Sequence, residues 1–150
     1  MQDELLNLMV GKWHITREFP KRKAENTATI EWVLNDHWLR IDMKDVEKPS
    51  QYEAHVYITQ MVSDKSYAIH WHDSFGGTLP EVLGTGRRVG DSIVFSFKDV
   101  DGELRNTFAW HGDRHEWTSK IEQTDKAGKW SVFCTDTYRK VSATHSAGKH

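Results

Sequence analysis

One stretch of the sequence decides the fold: residues 67–77, which read YAIHWHDSFGG. At its start, bulky side chains alternate with smaller or polar ones. An extended strand here has one aromatic face and one face that carries the imidazoles of His70 and His72. The stretch ends in Asp73, Ser74 and then a pair of glycines, and glycine accepts the positive φ angles that a chain reversal requires. These features predict a β-strand with two distinct faces that leads directly into a turn.

The same period of two continues through most of the chain. Alternating segments are separated by turn residues such as Asn35-Asp36, Gly90-Asp91 and Gly112-Asp113, which indicates about ten strands at spacings of roughly 8–12 residues. No crossover helix lies between them, which excludes a parallel sheet. A meander left open would expose two sheet edges, and closure removes both. We therefore predict an all-β fold, a closed antiparallel up-and-down barrel of about ten strands. A two-sheet sandwich is the alternative, although it usually has longer Greek-key connections.

The first residues have a different pattern. Asp3 is suited to cap a short helix that carries Leu5, Leu6 and Met9, and Gly11 is suited to end it. Such a short apolar helix needs packing partners, so we expect it to cap one end of the barrel. We predict one barrel domain over residues 1–140 and a flexible C-terminal tail over residues 141–150, which is rich in Ser, Ala, Gly and His.

Composition narrows the classes of partner. The 150 residues carry a net charge of −2, and no basic face is large enough to neutralise many phosphates, so nucleic acid is not expected. Cys134 is the single cysteine, which excludes an internal disulfide and favours a reducing compartment. The N-terminus lacks the pattern of a signal peptide, and no apolar run approaches the ~20 residues of a membrane span. We therefore predict a cytoplasmic protein without a membrane span.

The barrel interior is expected to be hollow. A barrel of about ten strands is wider than side chains alone easily fill. In the segment 130–139, moreover, both sets of alternating positions include polar residues. An unpaired polar group in a dry core costs about 1–3 kcal/mol, whereas a wet or ligand-filled interior tolerates it. The mixed faces therefore favour a cavity lined in part by polar groups.

The expected occupant is a small apolar or amphipathic molecule, bound without cofactor, metal or catalytic residue. Large aromatic side chains within strands would form the walls, and an aspartate would shape the entrance turn. The predicted ligand-binding residues are Trp32, Tyr57, Trp71, Asp73 and Trp110. One arginine is expected at most to neutralise a carboxylate on the ligand. The candidates are Arg40, Arg87, Arg105 and Arg139.

The histidines of the opening stretch allow two other interpretations. His70 and His72 lie on one strand face, ~6.5–7 Å apart, and such pairs bind zinc in some β proteins, here with His55 or Asp73 as a further ligand. A solvent-facing pair is the interpretation we favour, because no matched set of Cys and His supports a metal. Alternatively, His55 or His70 could act with Asp73 as the acid–base pair of a small-molecule enzyme.

Two further features are structural or concern assembly. Gly84 and Gly86 precede no helix and do not form a phosphate loop, so they are expected to mark either a bend in the strand or a place where a large neighbour such as Trp71 packs over bare backbone. Exposed aromatics such as Trp38 or Trp130 would allow the chain to act as a homodimeric interaction module. These interpretations stay open from the sequence alone.

The chain resembles a known group of proteins because it contains several of their short motifs in the same order. A helix followed by Gly11-Lys12-Trp13 resembles the Gly-x-Trp opening of lipocalin-like (calycin) barrels. More specifically, the chain resembles a lipocalin-like family known only as a domain of unknown function. That family has a Leu-x-x-Leu-x-Gly-x-Trp start, a Tyr-x-x-x-Trp-x-Asp-Ser strand end, a strand with glycines and a closing Tyr-Arg. The matching positions are Leu5 to Trp13 (with Met9 near the second Leu), Tyr67, Trp71, Asp73, Ser74, Gly84-Thr85-Gly86 and Tyr138-Arg139.

The resemblance implies a closed antiparallel barrel with a pocket and implies little chemistry. It also implies that Trp13 seals the end that the helix caps. More distantly, the chain is similar to nitrobindin-like haem barrels, in which a histidine near the C-terminal strands binds iron. Residues 129–140 contain no histidine, so this chain departs from that pattern.

Overall fold

The computed structural model describes residues 3–76, 83–99 and 102–141, and these form ten β-strands and one short helix. The elements are α1 (Glu4–Asn7), β1 (Gly11–Phe19), β2 (Arg22–Val33), β3 (Trp38–Asp45), β4 (Glu53–Gln60), β5 (Tyr67–Asp73), β6 (Leu83–Val89), β7 (Ser92–Asp99), β8 (Gly102–His111), β9 (Glu116–Thr124) and β10 (Trp130–Lys140). Each strand pairs with its neighbours in sequence, and β1 also pairs with β10. The predicted all-β, closed antiparallel barrel with an N-terminal helix is therefore confirmed. Of the predicted tail, residues 142–150 lie outside the described residues.

Closure depends on the register between the first and last strands. Ile15 of β1 lies opposite Tyr138 of β10, and Arg17 lies opposite Asp136. On its other side β1 pairs with β2, where Ile15 faces Asn26. Because side chains alternate across a strand, these pairs all point to the barrel interior. The inner face of β1 therefore changes from apolar to charged within a single step of the pleat.

The tight turns follow from residues that tolerate positive φ. The β2–β3 connection contains Leu34, Asn35 and Asp36 with φ angles of 53°, 58° and 62°. Asn and Asp are the non-glycine residues that adopt this conformation most readily. The turn predicted at Asn35-Asp36 is thus observed, and it sets two long strands side by side.

Two glycines of β6 lie under aromatic rings. A Cβ atom built on Gly86 would lie 2.6 Å from Cδ1 of Phe95, and one built on Gly84 would lie 2.8 Å from Cε2 of Phe97. No side chain fits in that space without displacing a ring. The prediction that a large neighbour packs over bare backbone was right in kind, but Phe95 and Phe97 fill that role rather than Trp71.

One barrel end, called here the closed end, is covered by α1 and the residues that follow it. Asp3 caps the helix by accepting a hydrogen bond from the Leu6 amide, and Leu5 and Leu6 are buried. Indole groups of the barrel donate to this segment: Trp13 to the Met9 carbonyl (2.7 Å), Trp32 to Asn7 Oδ1 (2.9 Å) and Trp117 to the Leu8 carbonyl (3.3 Å). The helix is therefore fastened by tryptophans, and the expected role of Trp13 at this end is confirmed.

The core lies between the closed end and the middle of the barrel. Its inward side chains are apolar and closely packed, with edge-to-face contacts among aromatic rings. The fully buried members include Ile15, Ile30, Leu39, Ile41, Val56, Ile58, Ile69, Phe95, Phe108 and Trp117. In the described ranges no helix has the length and apolar character needed to cross a membrane.

Candidate ligand-binding cavity

The barrel end opposite α1, called here the open end, contains a cavity of about 1200 Å³. It is bounded by the hairpins β1–β2, β3–β4 and β9–β10 and by the ends of β5 and β7, and several of its lining residues are exposed to solvent. The lining is Arg17, Phe19, Arg22, Lys23, Ala24, Glu25, Asn26, Asp45, Val46, Glu47, Gln51, Tyr52, Trp71, Asp73, Phe75, Phe97, Lys98, Leu104, Asn106, Ile121, Gln123 and Phe133. Among the described residues, this cavity lies in the half of the barrel opposite α1.

One side of the cavity is a continuous polar surface, called here the polar wall. It consists of Arg17, Asn26, Asp45 and Asp73, which lie on β1, β2, β3 and β5, and of Tyr52, which directly precedes β4. Neighbouring strands bring these residues together: Asn26 lies opposite Asp45, and the Asp45 amide donates to the Tyr52 carbonyl at 3.0 Å. The polar wall thus follows five consecutive strands around the barrel.

On the other side, four apolar side chains from β7 to β10 form what is called here the apolar wall: Phe97, Leu104, Ile121 and Phe133. The polar side chains of Lys98, Asn106 and Gln123 line the cavity beside them. A β-bulge in β10, between Val132 and Cys134, shifts the register against β9. Such a bulge re-aims side chains, and Phe133 here contacts Phe19 edge-to-face at 5.6 Å between ring centroids. The bulge therefore adds an aromatic ring to the mouth of the cavity.

A buried ion pair joins the polar wall to β10. Arg17 Nε donates to Asp136 Oδ1 at 2.9 Å, and the two side chains are 6% and 1% exposed. The Cys134 thiol donates to the same oxygen at 3.0 Å. Burial, the largest single cause, lowers the pKa of Arg17, but the charge and hydrogen bond of Asp136 together with smaller contributions from Cys134 and Tyr52 outweigh it, so the pKa is raised and the guanidinium stays charged. The charge of Arg17 is thus already matched inside the protein.

Tyr52 connects the ion pair to Asp73. The Arg17 guanidinium lies 5.2 Å from the centre of the Tyr52 ring, and the Tyr52 hydroxyl donates to Asp73 Oδ2 at 3.3 Å. Trp71 Nε1 donates to the same oxygen at 3.1 Å, and the Phe75 amide donates to Asp73 Oδ1 at 3.0 Å. Both oxygens of Asp73 are therefore held by protein donors, and Asp73 shapes the turn after β5.

Some polar atoms of this region have no hydrogen-bond partner among the described residues. They are Asn26 Nδ2, Asp45 Oδ1 and Asp136 Oδ2. Asn26 is 1% exposed and lines the cavity. The other oxygen of Asp45, Oδ2, accepts from the Gln51 amide at 2.8 Å, so the side chain is held in place with Oδ1 left over. Buried polar groups of this kind are normally satisfied, by protein, water or a ligand.

The structure brings together two of the five residues predicted to bind a ligand. Trp71 and Asp73 line the cavity side by side. Trp32 and Trp110 also point inward but lie at the closed end, where Trp32 donates to Asn7 and Trp110 packs against Trp117 at 5.4 Å. Tyr57 lies on the outer face of β4 and lines a shallow groove with Trp38, His70 and His72. Ligand contact by these residues stays a prediction.

The histidines of the opening stretch lie outside the barrel. His70 packs edge-on against Trp38 at 5.4 Å, and the side chain of His55 is 63% exposed. Asp73 points into the cavity, so the structure does not assemble an acid–base pair from it and either histidine. Within residues 3–76, 83–99 and 102–141, no group of three or more His, Cys, Asp or Glu side chains could hold a metal ion.

Sequence reasoning missed most of the polar wall. The arginines considered as anchors bond outward instead: Arg40 to Glu31, Arg105 to Glu122 and Arg139 to Glu116. Arg87 is exposed on β6. The sequence does indicate the inward position of Arg17: it follows Trp13 and Ile15 at steps of two, so all three side chains lie on the same face of the strand. Asn26, Asp45 and Asp136 share this signal: each lies in phase with buried apolar residues of its own strand.

Alkaline pH is expected to destabilise the fold through weak acids buried beside the cavity. Burial, as the largest cause, raises the pKa of Tyr52 to about 12, that of Cys134 to about 12 and that of Tyr138 well above its usual value. The unfolded chain loses these protons from about pH 9 upward, whereas the native chain holds them. Their contribution to stability is therefore complete below pH 9 and lost as the pH rises toward 12.

Urea denaturation from pH 7 to pH 11.5 measures this effect. Each group can remove at most about 1.4 kcal/mol per pH unit from the free energy of unfolding. Tyr52→Phe should make the alkaline loss shallower, because one titrating group is gone. A free energy of unfolding that stays level up to pH 11 would contradict the expected burial.

Comparisons with known proteins give a similarity in fold but indicate no function. No protein-family model and no curated protein sequence matches the chain. The crystal structure of Rv2717c from M. tuberculosis is similar, with a TM-score of 0.61 and 12% identity over 95% of this chain and 100% of that chain. A protein of unknown function from the DUF3598 family of Nostoc punctiforme aligns over 94% of this chain and 100% of its own, with 8% identity and a TM-score of 0.27. The first similarity concerns the fold alone, and the second is too weak to support an argument.

Proposed function

We propose that the barrel binds one small amphipathic molecule in the cavity at its open end, without chemical turnover. The observation that carries this proposal is the cavity itself: about 1200 Å³, with a polar wall on β1–β5 and an apolar wall on β7–β10. Pockets that take drug-sized ligands usually measure about 300–1,000 Å³ and combine apolar lining with a few fixed polar groups. The cavity is slightly larger than this range and has this composition.

The division of the interior supports a ligand rather than a loosely packed core. The half next to α1 is filled with buried apolar side chains. In the other half, partners within the wall hold the polar groups in defined positions, as Trp71 and Phe75 hold Asp73. Preorganised polar groups opposite an apolar surface fit a molecule that has one polar edge and one apolar face.

The strand order and the cavity lining also help to judge which protein group the chain belongs to and which other functions fit. A ten-stranded meander closed by its first and last strands agrees with the lipocalin-like group, and we include membership of that group in the proposal. The described lining contains no histidine, which does not fit the iron ligand of nitrobindin-like barrels. The separation of His55 and His70 from Asp73 gives no support to the acid–base enzyme.

A titration with N-phenyl-1-naphthylamine, an uncharged dye that becomes fluorescent in apolar surroundings, tests the proposal. The dye should bind once per chain, and its emission should rise. Leu104→Trp adds an indole to the apolar wall and should weaken binding at least about 5-fold by filling the cavity. The matched control is Val94→Trp, which adds the same indole at an outward-facing position of the neighbouring strand β7 and should change affinity less than about 2-fold.

The two variants separate cavity binding from surface adsorption. Equal weakening by both variants, or by neither, would place the dye outside the cavity. No dye binding at all, together with no binding of the alkyl ligands described below, would contradict the proposed function.

A further inference from the structure

We propose that the polar wall selects a cationic head group, an alkyl or aryl amine in its ammonium form, with Asp45 as its anchor. This inference rests on the proposed function and names the chemical class of ligand for the same cavity. It is carried by two observations: the balance of charges along the polar wall, and the buried carboxylate oxygen of Asp45 that lacks a partner there.

The balance of charges is negative in the inner part of the cavity. Arg17 and Asp136 form a buried pair that counts as neutral. Asp45 and Asp73 remain, and among the described residues neither has an ion pair with a cationic side chain of the protein. Asp73 is compensated by hydrogen bonds from Tyr52, Trp71 and the Phe75 amide. Asp45 is therefore the carboxylate with acceptor capacity left for a ligand.

The geometry of Asp45 agrees with this role. Its Oδ2 is fixed by the Gln51 amide at 2.8 Å, while Oδ1 is buried and has no partner in the described part of the chain. Asn26 lies directly opposite on β2, is 1% exposed and lines the cavity with an unsatisfied amide group. The free Oδ1 of Asp45 is an acceptor, and an ammonium group supplies donors for it. The unpaired Nδ2 of Asn26 is itself a donor, so the ammonium group would bond to Asp45 and not to this nitrogen.

An anionic head group fits the same wall less well. The one guanidinium on the polar wall, that of Arg17, already gives its Nε–H to Asp136. A carboxylate placed there would add to the charges of Asp45 and Asp73 in a partly dry site, where like charges repel more strongly than in water. Arg22, Lys23 and Lys98 lie at the mouth, but they are exposed, so solvent and salt screen them.

The aromatic side chains of the same region also favour a cation. Tyr52 and Phe75 pack together at 5.7 Å between ring centroids, next to Trp71 and Asp73. Aromatic faces attract cations through the ring quadrupole, and most strongly where water is excluded. Asp45 is linked to this region through its amide, which donates to the Tyr52 carbonyl at 3.0 Å, so a ligand amine held by Asp45 would enter the part of the cavity that these rings line.

Displacement of N-phenyl-1-naphthylamine from the intact protein tests the inference. The competitors are three ligands of equal chain length: decylamine, decanol and decanoate. Each is used below its micellar concentration, at pH 7 and low salt. Decylamine should displace the dye at an about 10-fold lower concentration than decanol and at a still lower one than decanoate, because a charge-assisted hydrogen bond is worth about a factor of ten or more. Asp45→Asn keeps the shape and the contact to Gln51 and should reduce the advantage of the amine at least about 5-fold. Glu47→Gln removes an exposed charge at the same mouth and should change that advantage less than about 2-fold.

The outcomes distinguish the inference from the proposed function. Tightest displacement by decanoate, or equal displacement by all three ligands, would overturn the cationic preference while leaving a ligand-binding cavity. The order of the three ligands in the unaltered protein tests the preference even if Asp45→Asn fails to fold. If Asp45→Asn and Glu47→Gln reduce the advantage of decylamine equally, that advantage comes from general charge attraction. This result would also overturn the inference.

Discussion

Asp136→Ala is expected to lower the free energy of unfolding by about 3–5 kcal/mol, because it leaves the guanidinium of Arg17 buried without its counter-charge. Both side chains of the pair are almost inaccessible to solvent, and their contact of 2.9 Å involves a hydrogen bond as well as opposite charges. Asp136 Oδ1 also accepts from the Cys134 thiol, so the substitution removes a second hydrogen bond at the same point. Urea denaturation at pH 7 measures the loss.

A double variant shows which part of that loss comes from the unpaired charge. Arg17→Met combined with Asp136→Leu replaces both charges by apolar groups of comparable size, and such replacements are often neutral or stabilising. It should therefore recover most of the stability that Asp136→Ala loses, and the double-mutant cycle gives the coupling between the two side chains. Asp136→Asn, which keeps a hydrogen-bond acceptor, should fall between the two. A loss below about 1 kcal/mol in Asp136→Ala would mean that water in the cavity already solvates the guanidinium.

The free-energy cost of burying the Arg17–Asp136 pair explains where the cavity begins. On β1, the apolar Ile15 and the charged Arg17 are successive inward residues, and on β10 the same holds for Tyr138 and Asp136. A charged pair in the barrel centre cannot be packed over by apolar side chains without losing its remaining hydrogen bonds. The ion pair thus lies at the boundary between the dry core and the cavity.

The strand pattern was readable from the sequence because each local signal agreed with the fold. Alternation of side chains marked the strands, and turn residues such as Asn35 and Asp36 marked the connections. Closure of the barrel was predicted because an open meander would expose two unprotected sheet edges. The helix was readable from Asp3 and its leucines, and from the need of so short a helix for packing partners.

The position of residues along the barrel was not readable in the same way. Trp32 and Trp110 have the inward phase that the sequence predicts, but the period of two does not say how far a residue lies from either end, which depends on the stagger of the strands. The size of Tyr57 favours a place in the cavity. Its strand buries Ala54, Val56 and Ile58 instead, and the pleat then turns Tyr57 outward.

Trp13→Ala is the second substitution with a large expected effect, about 3–5 kcal/mol, which is typical of removing a large buried aromatic side chain. Trp13 is 1% exposed, its ring packs edge-to-face against Tyr138 at 6.4 Å, and its indole donates to the Met9 carbonyl at 2.7 Å. The variant opens a void under α1 and also removes the partner of a buried carbonyl. Because α1 has only four residues, it cannot persist without these contacts.

Amide hydrogen exchange separates local from global loss. In Trp13→Ala the amides of Met9 and Val10, which donate to Leu6 and Asn7, should exchange faster than the drop in global stability alone explains, because their segment is no longer fastened to the barrel. Trp130→Ala is the matched control: Trp130 is 36% exposed, at the start of β10, and packs against Arg105 at 4.1 Å, so its loss should cost less than about 1 kcal/mol. If both substitutions cost the same and the amides of Met9 and Val10 exchange no faster than global stability predicts, the closed end would not depend on Trp13. The structure argues for the opposite, since the indoles that donate to residues 7–9 all come from strands of the barrel.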